Sequence, residues 1–390
     1  MERLAGECDL AIIGAGMTGA ACAWYAARAG LRVVVLDRGA VAGGTTGAGE
    51  GNLLVSDKEP GPELDLALLS ARLWRELADE PGFGSAIEYE AKGGLVVAAR
   101  PEGFAALEDF AEQQGRSGVD AESVPADALA ELEPHLSPDL AGGVLYPQDA
   151  QVQPARAAAL LIRDAKRWGA KLYTGTTVTA LTRTADGAVN GVVTDRGTLR
   201  ASWVLNAAGT WGGEVAQLAG VHLPVLPRRG FVLVTEPLPR LIRHKVYAAD
   251  YVADVASSSA ALQSSAVVEG TAAGPVLIGA SRERVGFDRT FSLEVARLLA
   301  KQAIDLFPAL ARVKAMRSYL GFRPYMPDHL PAIGPDPRVP GLVHACGHEG
   351  AGIGLAPATG HLIARILTGQ SPDFDLSPFR PERFEDGAHA

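Results

Sequence analysis

A chain of 390 residues is too long for one simple hydrophobic core and long enough for two, so two interleaved domains are expected. Its 47% hydrophobic and 21% charged residues are the balance of an ordinary globular protein, and a formal net charge of −9 without a Lys/Arg stripe argues against a nucleic-acid partner. Three cysteines, Cys8, Cys22 and Cys346, show no paired spacing, which excludes a disulfide framework or a zinc site; a reduced, cytoplasmic setting is expected.

Leu10–Ile13 is a short apolar run that ends in glycine and suits a buried parallel strand. Glu7 and Asp9 precede it and Gly14 and Gly16 follow, so it reads as a first strand and not a signal peptide. Thr18–Ala29 is alanine-rich and free of proline, which predicts a helix capped by Gly30. Leu31–Leu36 is the second strand, and Gly43–Gly51 is too rich in glycine for a helix. Leu66, Leu69, Leu73 and Leu77 then recur at helical spacing. A strand pair is expected over Glu88–Ala99, followed by a polar, proline-punctuated stretch to about Pro147. Pro154 is placed to open a helix through Ala165. Short strands follow near Lys171–Leu181 and Gly191–Val193, and Trp203–Gly209 is a strand entering a tight turn. Residues 221–330 alternate strands with one helix, Leu293–Ile304, for which Ser292 is the N-cap. The last unit is the strand Leu342–His344, a glycine loop, and a helix opening at Pro357. No apolar run nears the roughly 20 residues that cross a bilayer, so no membrane span is expected.

The segment Gly14-Ala-Gly16-Met17-Thr18-Gly19 satisfies Gly-x-Gly-x-x-Gly between a strand and a helix, and Asp37 and Arg38 end the next strand. Gly14 allows the tight turn, Gly16 lets a pyrophosphate approach, and Gly19 permits close helix–strand packing. The helix N-terminus at Met17 and Thr18 offers N–H groups to phosphates, and Asp37 can accept from ribose hydroxyls. This pattern alone does not separate FAD from NAD. Three features favour FAD. The loop after the second strand, with Gly44, Thr45, Thr46, Gly51, Asn52 and Leu53, is placed to lie against an isoalloxazine. A second turn, Asn206–Trp211, presents Ala208 and Gly209 beside Trp211. Finally, Gly347–Gly354, with Gly350, Gly352, Ile353 and Gly354, precedes a helix whose dipole stabilises charge on a reduced flavin.

These motifs, with Val204–Trp211, Gly321–Pro324 and Leu355–Gly360, resemble the D-amino-acid oxidase superfamily, in particular its glycine oxidase, sarcosine oxidase and hydroxyproline or opine dehydrogenase branches. The resemblance runs over essentially the whole chain. It implies an α/β fold: a discontinuous Rossmann-like FAD-binding domain of the GR2 type, interrupted by a mixed β-sheet substrate domain. The boundaries expected are 1–86, 150–220 and 327–390 for the first, and 87–149 and 221–326 for the second. It also implies extended FAD with Val178 beside the adenine. Sarcosine oxidases that bind flavin covalently carry a cysteine near the segment matched by Gly321–Asp328; none lies here, so noncovalent FAD is expected. Gly354 stands where other members place a substrate lysine.

Arg323 is the candidate for a substrate carboxylate, since guanidinium and carboxylate match bidentately. A structural ion pair with Asp328 or Glu349 is the competing reading. Tyr251, with Tyr247, is a candidate to close over substrate, and His348 and Glu349 sit in the glycine loop. His344 and Cys346 read as packing residues. The chemistry expected is oxidation of a small amino or imino acid (a D-amino acid, N-substituted glycine, proline-type or opine substrate). Hydride passes from the carbon bearing nitrogen to flavin N5, and the imine is hydrolysed. Two alternatives stay open: a 2-hydroxy-acid dehydrogenase using His348 as base, and a flavin-bearing structural or electron-transfer subunit. Val246–Tyr251, Ala266–Gly270 and Ser281–Asp288 resemble catalytic chains of multi-subunit hydroxyproline and opine dehydrogenases, which implies iron–sulfur or flavoprotein partner subunits. Three cysteines are too few for a four-ligand cluster in this chain.

Overall fold

The computed structural model describes residues 4–384. They divide into two compact units, one of residues 4–47, 154–227 and 322–384 and one of residues 48–153 and 228–321. Residues 48–86 thus group with the second unit, unlike the expected boundary at 86. Hydrogen bonding explains the difference: Asn52–Leu53 pairs antiparallel with Ala150–Gln151, and the Gln114 amide holds the backbone of Val55, Ser56 and Lys58.

In the first unit an eight-stranded sheet has the order Ala332–Pro335, Leu342–Cys346, Gly197–Asn206, Glu7–Ile13, Val33–Leu36, Lys171–Tyr173. Val189–Thr194 and Val178–Arg183 branch from Gly197–Asn206 as an antiparallel extension. Glu7–Ile13 is flanked by parallel partners on both sides, and its Leu10–Ile13 segment is fully buried, as a central parallel strand requires. Helix Met17–Arg28 packs closely on helix Gly352–Leu367, because Gly360 brings its backbone onto Ala21; a Cβ there would sit 2.7 Å from the Ala21 carbonyl carbon. Trp24 Nε1 donates to Asp164 Oδ2 at 2.8 Å, fixing helix Pro154–Arg167 beside it.

The second unit is built on a mixed eight-stranded sheet ordered Ala315–Tyr325, Leu226–Thr235, Val276–Arg282, Gln263–Gly270, Lys245–Ala248, Gly94–Ala98, Gly142–Tyr146, Glu122–Pro125. Helix Leu293–Leu306 buries Val295, Leu299, Ala303 and Leu306 in a core with Val268, Ile278 and Phe231. Its N-cap is Ser292, whose Oγ accepts the Val295 N–H at 3.3 Å.

Several elements differ from expectation. Glu88–Ala99 holds one strand and no hairpin: Gly93 turns at φ +75°, Glu90 bridges Gln151, and Gly94–Ala98 finds distant partners. The stretch before Pro147 contains helix Pro101–Gly115, which buries only Leu107 and Gln114 and therefore shows little apolar periodicity. A 3₁₀ turn, Thr45–Ala48, lies inside the glycine-rich loop. The C-terminal helix begins at Gly352 and runs through Pro357, which lies inside it and has no N–H to give to the Ile353 carbonyl.

Candidate flavin and substrate site

The first unit assembles three distant segments around the glycine turn. Gly14 adopts φ +114°, and its N–H donates to the Leu36 carbonyl at 2.8 Å. A Cβ on Gly14 would strike the Ala207 carbonyl oxygen, and one on Gly19 would strike that of Gly14, so both positions require glycine. Gly16 caps the helix without a side chain, and the Met17 N–H meets Thr46 Oγ1 at 2.9 Å. Thr18 stands in that first turn. Asp37 accepts the Ala15 N–H on Oδ2 and the Gly39 N–H on Oδ1, each at 2.7 Å. Each carboxylate oxygen keeps a second lone pair for a hydroxyl. The Arg38 guanidinium lies 4.3 Å from the Trp211 ring centroid, and Gly44 lies against the edge of the same ring. Thr45 and Thr210 both donate to the Phe322 carbonyl, at 2.6 and 2.7 Å. Gly209 turns at φ +55° after Ala208. Val178 begins its strand half-buried against the core. A glycine turn, a helix N-terminus whose N-cap residue has no side chain and an oriented acidic side chain fit a dinucleotide.

The C-terminal loop belongs to the same unit. Arg323 is half-buried, and a Cβ on Gly350 would lie 3.6 Å from both its Cδ and its Nε. Of the two carboxylates named as competing partners, Asp328 pairs with Arg383 at 2.6 Å and Glu349 meets His329 at 2.8 Å. Glu349 sits at φ +44° and donates its N–H to the Pro324 carbonyl. His348 is buried, and burial pushes its imidazole down to about 3. Its Nε2 lies 3.0 Å from Thr359 Oγ1. Because Thr359 gives its hydroxyl proton to the Leu355 carbonyl, Nε2 is the donor and the neutral ring is locked onto the helix. Gly352, Ile353 and Gly354 form that helix's first turn, which has no side-chain cap. His344 is buried between Asn206 Nδ2 at 3.2 Å and Asp336 Oδ2 at 3.1 Å, a packing role.

Gly51, Asn52, Leu53 and Tyr251 lie in the second unit and not with these residues. Tyr251 is buried edge-on to Tyr247, with ring centroids 5.1 Å apart and the Arg282 guanidinium 5.0 Å from its own centroid. Sequence reasoning missed the segment beside them. Val55–Lys58 is wholly buried: Asp149 accepts the Val55 N–H at 2.8 Å, and the Ser56 hydroxyl bonds both Asp149 and Tyr247. Lys58 pairs with Asp57 at 2.5 Å. Burial pushes the Asp149 carboxyl up to about 7, against the bonds from Ser56 and Val55. The one available signal was three polar residues set directly after the apolar run Leu53–Val55.

A family model described as FAD dependent oxidoreductase matches residues 9–366. The chain belongs to the DAO family. It is 30% identical to hydrogen cyanide synthase subunit HcnC of Pseudomonas aeruginosa, over 97% of this chain and 96% of the relative. It is 31% identical to glycine oxidase of Geobacillus kaustophilus, over 95% and 96%. The crystal structure of that glycine oxidase superposes with a TM-score of 0.88 at 29% identity, covering 97% of this chain and 99% of the other. Iminodiacetate oxidase from Chelativorans sp. BNC1 superposes at 0.83 with 25% identity over 95% and 98%. As a DAO-family flavoenzyme the protein binds FAD and is an amine or amino-acid oxidoreductase. Among the described residues no helix is long and apolar enough to cross a membrane.

Proposed function

We propose that the protein oxidises an amino or imino acid at the carbon bearing nitrogen, with Arg323 holding the substrate carboxylate. The observation that carries this reading is Arg323 beside Gly350, in a chain similar over most of its length to glycine oxidase. FAD, when bound, supplies the two-electron acceptor. The substrate C–H bond breaks with its electron pair leaving carbon, the nitrogen lone pair closes a C=N bond, and water hydrolyses the imine. Such chemistry asks the chain to orient the carbon and hold the carboxylate, and asks for little acid–base machinery. The uncapped N-terminus of helix Gly352–Leu367 favours negative charge placed before it.

The buried, neutral His348 supports amine oxidation over hydroxy-acid oxidation, which needs a base. Anaerobic mixing with D-amino acids, N-alkyl glycines, prolines, opines and matched hydroxy acids tests the assignment. Bleaching of the flavin by an amine but not by its hydroxy counterpart is expected; bleaching by hydroxy acids alone contradicts it.

A partner chain as electron acceptor is part of the same proposal. HcnC, one relative, is named as a subunit. Cys8, Cys22 and Cys346 are buried, and three cysteines are too few to hold a four-ligand cluster in this chain. Any onward iron–sulfur relay is therefore assigned to another chain.

A further inference from the structure

Three buried cations of the second unit show how its fold treats such groups. Arg229 pairs with Glu283 at 2.8 Å and with Asp288 at 2.6 Å, Lys58 pairs with Asp57, and Lys245 bonds Glu269. Arg282 is treated differently. It is 4% exposed, and among the described residues its guanidinium meets no carboxylate and no hydrogen-bond acceptor. Its neighbour is the Tyr251 ring, whose centroid lies 5.0 Å away. A ring face attracts a cation but offers no lone pair to its fork of N–H donors. A buried charge in that state is costly, and such groups are ordinarily paired.

The surroundings add positive charge and an aromatic wall. Gln263 stands directly opposite Arg282 in an antiparallel strand pair, so the two side chains share a face. Arg228, also buried, donates to Gln263 Oε1 at 2.7 Å and to the Ser257 carbonyl at 2.8 Å, which brings a second guanidinium to Gln263. Tyr251 lies edge-on to the buried Tyr247, with centroids 5.1 Å apart. N–H donors that no acceptor occupies, beside such a wall, call for a planar anion, and a carboxylate matches the guanidinium edge bidentately. Each of these residues belongs to the second unit, so the arrangement is internal to it.

We propose that Arg282, set against the Tyr251 ring, is a binding site for the carboxylate group of a small molecule. The site stands on this geometry whether or not the chemistry is amine oxidation. The FAD-loaded full chain is dialysed to equilibrium against radiolabelled acetate or its uncharged counterpart acetamide. Native protein, Arg323→Met, and Arg323→Met combined with Arg282→Met are compared. Arg323→Met removes the other arginine proposed to hold a carboxylate, so the acetate it still binds is read at Arg282. That variant is expected to bind acetate about tenfold or more tightly than acetamide, and adding Arg282→Met removes the preference. Equal binding of acetate and acetamide by Arg323→Met overturns the site, as does a preference that survives Arg282→Met. Should Arg282→Met fail to fold, Arg282→Lys replaces it; a severalfold loss is expected, because an ammonium lacks the planar fork, and an unchanged affinity overturns the site. Two sources share this chemistry, an amino-acid ligand and a free short-chain acid. Displacement of acetate from Arg323→Met by excess N-carboxymethylalanine assigns the first, and retention assigns the second. Native protein that binds no more acetate than Arg323→Met counts against Arg323 as a carboxylate holder and not against this site.

Discussion

Asp37 Oδ2 accepts the Ala15 N–H at 2.7 Å, which ties the end of the second strand to the middle of the glycine turn. The acidic side chain is thereby fixed before any ribose arrives. Asp37→Ala removes both this brace and the hydroxyl acceptor, a loss of order 1–3 kcal/mol. FAD retention on dialysis is expected to weaken about tenfold or more. Acid precipitation of the native protein is expected to release FAD into the supernatant, as noncovalent binding requires; flavin left in the pellet would show a covalent link.

Arg323 carries the second prediction. Arg323→Met is expected to weaken amino-acid binding on the order of 100-fold while FAD stays bound, because charge-assisted bonds to the carboxylate are lost. Arg323→Lys does not restore it, since a point charge cannot reproduce the planar fork. Titration of the flavin spectrum with substrate measures both. An unchanged substrate dependence in Arg323→Met places the carboxylate site elsewhere.

Much of this site was legible because its parts are local. Gly14, Gly19 and Asp37 occupy a short stretch in which spacing and strand–helix order are visible together. Thr210 and Phe322 are different: their hydrogen bond joins residues more than a hundred positions apart, which no local pattern records. The buried Val55–Lys58 segment was hidden for a related reason. Its burial depends on Gln114, from a helix whose own sequence is mostly exposed, and on Asp149, from a turn far along the chain. The start of the C-terminal helix was misplaced at Pro357 because proline is usually read as an opening residue, whereas Gly352–Ala356 already forms the first turn.

Asp149 gives a prediction in pH. Burial raises its carboxyl to about 7 in the folded chain, from an ordinary value near 3.8 when unfolded. The folded state therefore binds the extra proton between those values. Stability from this group is present below about pH 4, falls as pH rises, and is lost above about 7, by up to roughly 4 kcal/mol. Asp149→Asn keeps an acceptor for the Val55 N–H but does not titrate. Its thermal midpoint is expected to fall less than that of the native protein between pH 5 and pH 8; equal slopes refute the shift.

The electron acceptor can be decided by comparing oxygen with an artificial dye at equal substrate. Dye turnover well above peroxide formation is expected, in keeping with a partner chain that takes electrons onward. Peroxide formation matching the dye rate makes the protein a self-sufficient oxidase.

The central claim, oxidation at the carbon bearing nitrogen, is tested most directly by one anaerobic single turnover. The FAD-loaded protein is mixed with its best amino-acid substrate, and flavin bleaching is followed while the carbonyl product is quantified. Complete bleaching with one carbonyl formed per flavin is predicted, and no bleaching by the matching hydroxy acid. Flavin that stays oxidised with every amine, or bleaches only with hydroxy acids, contradicts the account.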